Sequence, residues 1–232
     1  PNIMHIEKVF QVGSKFYMVF PLCTGGELYD HIIQRGHFTE TDAAILMKDL
    51  ISGINSLHQE DILHLDIKPE NILFESKEDN AKIKITDFGL SRVLGGSPGS
   101  NGHKAQRMPT EEEMNDRIVQ LFERGILNKE QLRGTVGYMS PELILHGYNS
   151  KAADVFAAGV VLYILLCGHP PFHSKSNREV LERTARGQYT LSGPQWSDVS
   201  SEAKDLVKKM LEKSPGNRIT ASEVLNHAWF KD

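Results

Sequence analysis

The stretch VFAAGVVLYILLC, residues 155–167, is the longest apolar run in the chain and carries no charge. It is shorter than the about 18 to 20 residues a membrane-spanning helix needs, and long for a strand. It therefore predicts a helix, starting near residue 152, buried on all sides. The rest of the chain must then fold as a shell around it.

The segments on either side supply that shell. Downstream, helical patterns recur at about 176–186, 200–212 and 220–228. Upstream, HIEKVFQVGSKFYMVF reads as two strands around a Gly-Ser turn, and NILFE and KIKITDF as two short strands joined by a polar turn. Between these pairs, CTGGELYDHIIQRG turns through glycines into a short helix. TETDAAILMKDLISGINSLHQ follows, with Ala44, Leu46, Met47, Leu50, Ile51, Ile54 and Leu57 at helical spacing. Thr39 with Asp42 resembles a capping box. Strands first and helices later predict the α+β class with a mostly helical body.

At 232 residues, 40% apolar and 24% charged, the chain has the makings of a soluble domain with a sizeable core. A net charge of −4 supplies neither the basic footprint of a nucleic-acid binder nor the basic belt of a membrane-surface protein, and no membrane span is expected. Cys23 and Cys167 have no partners at zinc spacing and are too few for a disulfide framework. That implies a reducing, intracellular setting, taken as cytoplasmic. The opening PNIMHIEKVFQV reads like the middle of a domain, so the chain is expected to be a piece of a longer one.

One stretch breaks the regular pattern. GGSPGSNGHKAQRMP, residues 95–109, has loop composition and leads into TEEEMNDRIVQLFERG. There Thr110 and Glu113 form a capping-box pattern, Met114, Ile118, Leu121 and Phe122 fall on one helical stripe, and Gly125 is a natural stop. A helix inside a loop is expected.

The densest polar chemistry lies in HLDIKPENILF, residues 64–74, at the mouth of an apolar strand. This resembles the catalytic loop of the protein kinases. DFG at 87–89, GTVGYMSPE at 134–142, DVFAAGV at 154–160 and Arg218 in SPGNRITASEVLNHAWF match further kinase motifs in order. Any one of these is weak evidence, but five in sequence cover nearly the whole chain. The resemblance implies a protein-kinase-like fold. Residues 1–22 would be the end of the small lobe up to the hinge, and 23–232 the large lobe. The activation segment would run over 87–142, with an insertion at about 95–133.

The resemblance also implies roles. Asp66 accepts the substrate hydroxyl proton, Lys68 offsets charge on the moving phosphoryl group, and Asn71 and Asp87 hold Mg2+ on the phosphates of ATP. Gly89 lets the chain turn. Thr135, with Lys68, Pro69 and Glu70, marks the serine/threonine branch and counts among the catalytic positions. CTGGELYDHI and HAWF are similar to the calcium/calmodulin-dependent kinase group, its calcium-dependent protein kinases above all.

In that group FPLCTGG is the hinge that holds adenine. Phe20 guards the back of the pocket, Pro21 offers its carbonyl, Cys23 both its N–H and its carbonyl, and Leu73 the apolar floor. Glu70 borders the same pocket. Glu27 and Glu70 sit where an arginine upstream of the target residue is read, although solvated surface acids are the plainer alternative. His64 packs on Phe88 and on Ile6, Glu142 pairs with Arg218, and Asp154 caps its helix while holding the catalytic-loop backbone. Protein substrates are implied, together with a calcium-sensor or other regulatory partner outside the chain.

Three departures qualify this. No Gly-rich loop, strand-three lysine or helical glutamate lies upstream of Pro1, so the isolated chain is expected to be nearly inactive. Leu65 replaces the arginine that binds an activation-loop phosphate, and no Ser or Thr lies between Thr110 and Thr135. The segment from Asp87 to Glu142 is longer than usual. The alternative to an enzyme is a pseudokinase or docking module, against which the retained Asp66, Lys68, Asn71 and Asp87 stand.

Overall fold

The computed structural model describes residues 1–94, 110, 112, 113, 116, 119, 120, 136–147 and 149–231. The apolar run forms helix α4 (Lys151–Cys167), with every residue from Ala153 to Cys167 buried. Around it lie α1 (Leu28–Arg35), α2 (Glu40–Gln59), α3 (Pro141–His146), α5 (Asn177–Arg186), α6 (Ser201–Met210) and α7 (Ala221–Leu225). The layers are held at close range. A Cβ on Gly159 of α4 would stand 2.8 Å from Cβ of Met210 at the end of α6, so only glycine lets those two helices approach so far.

The shell helices follow their sequence signals. Thr39, Ser176, Ser200 and Thr220 each accept a hydrogen bond from a backbone N–H of the turn they cap, and Thr220 with Glu223 completes a capping box. Gly147, Gly168 and Gly187 end α3, α4 and α5 in the left-handed conformation. In α2 the buried stripe runs through Ala43, Leu46, Met47, Leu50, Ile51, Ile54 and Leu57. Ala43, not Ala44, is the fully buried alanine, because Ala44 sits half-buried at the edge of the stripe.

Among the described residues, three two-stranded antiparallel ribbons accompany the helices. The first pairs β1 (Lys8–Val12) with β2 (Lys15–Val19) around Gly13, and both strands are exposed along their whole length. The second pairs β3 (Ile62–Leu63) with β6 (Arg92–Val93), a contact too short to leave a pattern in the sequence. The third pairs β4 (Ile72–Phe74) with β5 (Ile83–Ile85) in the register Ile72 to Ile85, and Ile3 bridges to Ile85 from the other side. The strand predicted from Asn71 starts one residue later, because Asn71 closes a 3-10 turn over Pro69–Asn71.

The predicted apolar stripe at Met114, Ile118, Leu121 and Phe122, with the stop at Gly125, lies outside the described residues, as do Thr135 and most of the expected insertion. Glu112, Glu113, Asp116, Val119 and Gln120 are helical. The predicted capping box forms: the N–H of Thr110 donates to Oε2 of Glu113 over 2.7 Å, and the N–H of Glu113 to Oγ1 of Thr110 over 3.3 Å.

Candidate active site

The β4–β5 ribbon assembles the site. Its register leaves Asn71 just before one strand and Thr86 just after the other, and the N–H of Thr86 donates to the carbonyl of Asn71 over 2.9 Å. Asn71 and Asp87 are thereby brought to the same end of one ribbon. Asp66 lies below that end. Its Oδ2 accepts from Nζ of Lys68 at 2.6 Å and from Nδ2 of Asn71 at 2.9 Å, and its carbonyl accepts a further bond from the same Nδ2. Carboxylate, ammonium and amide share one set of hydrogen bonds, in which Asp66 and Asn71 are buried and Lys68 is half-buried.

Two backbone positions beside these groups are strained. Leu65 and Asp87 adopt φ of 66° and 62°, a left-handed conformation that costs a branched residue like leucine more than it costs aspartate. Asp87 itself makes the turn into the DFG stretch, and its Oδ1 accepts from the N–H of Gly89 at 3.1 Å. The expectation that Gly89 supplies the turn is corrected by this, since the left-handed residue is the aspartate.

At Leu65 the strain is held by Asp154, whose Oδ1 accepts from the N–H of Leu65 at 2.8 Å. Its Oδ2 accepts from the N–H of His64 at 3.0 Å and is 2.9 Å from Nε2 of His58. Asp154 thus holds the catalytic-loop backbone as expected, but it does not cap its helix. Ser150 occupies the N-cap position, and the carboxylate turns sideways to the loop.

His64 is fully buried, and both of its ring nitrogens have partners. Nε2 is 3.0 Å from the carbonyl of Thr86, and Nδ1 accepts from the N–H of Asp66 at 3.2 Å. The pattern requires a neutral ring protonated on Nε2, and burial lowers the imidazole below its ordinary range. The ring meets Phe88 edge-on at 4.9 Å, as expected. Ile6, its other expected neighbour, lies ahead of β1 and is about half exposed (48%). His58 and Thr86 were not singled out from sequence. A histidine in the last turn of an amphipathic helix is the only signal the first leaves, and a backbone carbonyl leaves none.

The segment before α1 lies along β4. The N–H of Thr24 donates to the carbonyl of Glu75, that of Gly25 to Phe74, and Glu27 bridges to Leu73. A Cβ on Gly25 would lie 2.1 Å from the carbonyl oxygen of Ser76, so the close approach requires glycine. Cys23 thus leads into the segment bonded along β4, the strand that carries Leu73, with Pro21 half-buried and Phe20 exposed. Burial, followed by the nearby Glu75, raises the Cys23 thiol, which disfavours the reactive thiolate.

Glu70 is half-buried, and its Oε2 is out of solvent with no hydrogen-bond partner among the described residues. Burial raises its carboxyl, and Asp66 and Glu27 push in the same direction. The same carboxylate, together with Tyr29, adds to the burial that lifts the Tyr138 hydroxyl far above its ordinary value. Against Asp66 and Glu27, Lys68 acts on Glu70 in the opposite direction and favours its ionised form. Glu27 and Glu70 are the two acids named from sequence; Tyr29 and Tyr138 were not anticipated.

A buried ion pair anchors the far side. Arg218 donates through Nη1 and Nη2 to the two carboxylate oxygens of Glu142 at 2.7 and 2.9 Å, with its guanidinium 4.9 Å from the ring centroid of Phe156. The carbonyls of Ala152, Glu212 and Lys213 accept its remaining protons.

A carboxylate paired with an ammonium, an amide tied to the same carboxylate and a second aspartate at the same ribbon end make a site suited to group transfer from a polyanion. The chain belongs to the protein kinase domain family, whose match runs over residues 1–230. It is 38% identical over 231 residues to "Calcium-dependent protein kinase 3" of Plasmodium yoelii yoelii, covering 100% of this chain and 38% of the relative. It is also 38% identical over 229 residues to "Calcium and calcium/calmodulin-dependent serine/threonine-protein kinase" of Oryza sativa subsp. japonica, covering 99% of this chain and 39% of the relative. The chain spans about two fifths of the length of these relatives.

Proposed function

We propose that the protein containing this chain transfers the γ-phosphate of ATP to serine or threonine in proteins, with an arginine upstream of the target residue. The observation that carries this reading is Asp66, held between Lys68 and Asn71 at the ribbon end that also bears Asp87. In this reading Asp66 orients the substrate hydroxyl and accepts its proton, while Lys68 stands beside it to offset phosphoryl charge.

The donor set fits magnesium. Nδ2 of Asn71 is committed to Asp66, so its amide oxygen is the atom left to offer a metal, with Asp87 at the same end of the ribbon. Among the described residues no cluster of three or more His, Cys, Asp or Glu can hold an ion by itself. Magnesium commonly takes one or two protein oxygens and completes its shell with phosphates and water. When bound, Mg2+ neutralises charge on the phosphates of ATP.

Main-chain groups of Pro21 and Cys23 bind the adenine edge, Phe20 backs it and Leu73 lies beneath it. Glu27 and Glu70 take the arginine, for which the buried, unpartnered Oε2 of Glu70 is ready-made. Thr135 completes the serine/threonine site. The free thiols of Cys23 and Cys167 suit a reducing, cytoplasmic setting. The relatives' names suggest calcium regulation through a segment or partner beyond this chain.

Phosphate incorporation into paired peptides tests the reading. The full-length protein with Mg-ATP is expected to modify Ser and Thr peptides carrying upstream arginine, and to do so poorly once that arginine is alanine. Equal rates on both, or no incorporation into either, contradict it.

A further inference from the structure

The activation segment ends against the catalytic loop at a small cavity, and one wall of it is a serine with an unusual environment. Ser140 is 1% exposed, and its hydroxyl has no hydrogen-bond partner among the described residues. The residue occupies the N-cap of α3, where a serine ordinarily accepts from an N–H of the first turn, yet its side chain makes no such bond. A hydroxyl that is buried and also gives up its cap is costly unless something else meets it.

Ser140 lines a cavity of about 20 Å3. Leu65, Asp66 and Ile67 of the catalytic loop form one side, Tyr138 and Met139 another, and α4 closes it through Asp154 and its neighbours. That room accommodates a single water, which needs at least about 10 to 15 Å3 and two or more polar partners.

We propose that this cavity is a one-water site and that Ser140 is a positioning residue. Its hydroxyl and the water bridge the end of the activation segment to the main chain of residues 65–67. The inference rests on the kinase reading for its consequence. Asp66 sits in one wall and Tyr138 in the other, so the water sets the spacing between the base and the end of the activation segment. The link is made through neutral hydrogen bonds, beside a Leu65 that has no guanidinium with which to make an ionic one.

The test uses the full-length protein in two arms. A crystal structure at a resolution that shows ordered water is expected to place one within hydrogen-bond distance of Oγ of Ser140, and Ser140→Ala is expected to lose it. In the second arm Ser140→Ala lowers kcat on an arginine-containing peptide about three- to tenfold, the scale of one bridging hydrogen bond, with KM for ATP unchanged. Ser140→Thr, whose methyl takes the room of the water, falls by a similar factor although the hydroxyl is kept. An Oγ paired directly to protein with no water beside it overturns the site. A Thr variant of wild-type rate beside an impaired Ala variant overturns the role of the water, and wild-type kcat in both overturns the positioning role. Absence of phosphotransfer in the wild type is a failure of the kinase reading alone, and the electron density still decides the site.

Discussion

Glu70 holds a half-buried carboxyl with an oxygen unpartnered among the described residues, and this has a consequence for stability. Burial raises its carboxyl, with Asp66 and Glu27 adding to the effect, so the folded protein binds that proton more tightly than the unfolded chain does. For an acid the consequence has a definite sign. Stability attached to Glu70 is fully present below its unfolded pKa and is lost as pH rises through the raised folded value, so at neutral pH the ionised carboxylate is a liability. Under the proposed function, arginine binding needs that ionised form and competes with the proton. Glu70→Gln is therefore expected to raise the melting temperature at pH 7 while raising KM for an arginine-containing peptide about ten- to a hundredfold, the scale of one charge-assisted contact. Acidification is expected to raise that KM in the wild type at a pH above the ordinary carboxylate range and to leave the variant flat. Melting curves and KM against pH check both signs; a variant less stable than wild type, or one with an unchanged KM, contradicts the assignment.

At the scale of elements, the catalytic loop is strained where it is held most firmly. Leu65 keeps a left-handed backbone because a carboxylate from α4 takes its N–H, and α3 keeps its place because Glu142 is locked to Arg218. Both side chains of that pair are buried, so removing one leaves a charge without a partner. Arg218→Met is expected to cost about 3 to 5 kcal/mol in chemical denaturation. Combining it with Glu142→Leu recovers part of the loss, because the orphaned carboxylate is gone. Equal stabilities for the wild type and the single variant contradict the role of the pair. The same elements show what the sequence makes legible. The buried run of α4, the stripe of α2 and the cap residues announce their elements because each depends on local spacing. The β3–β6 pair, the 3-10 turn at Pro69–Asn71 and the left-handed Asp87 do not, because each is imposed by residues distant in the chain. Site residues were legible as types, but the partners that orient them, such as His58 and the Thr86 carbonyl, come from packing.

For the whole molecule, no described contact calls for a phosphate on the activation segment, and Leu65 offers no group to bind one. Phosphatase treatment of active full-length protein is expected to leave its rate unchanged; a large loss traced to a site within residues 90–135 contradicts this. The central claim is that Asp66 orients a hydroxyl and accepts its proton, within a framework that binds ATP independently of it. Phosphotransfer to an arginine-containing serine peptide, measured alongside nucleotide binding for wild type and Asp66→Asn, tests this most directly. The amide keeps the size of the side chain and its acceptor oxygen but has no charge with which to take a proton. The account predicts turnover reduced by about a thousandfold or more, in line with the loss of a catalytic base and its orienting hydrogen bonds, with ATP affinity within about twofold of wild type. Wild-type turnover in the Asn variant, or parallel loss of ATP binding and turnover, would contradict it.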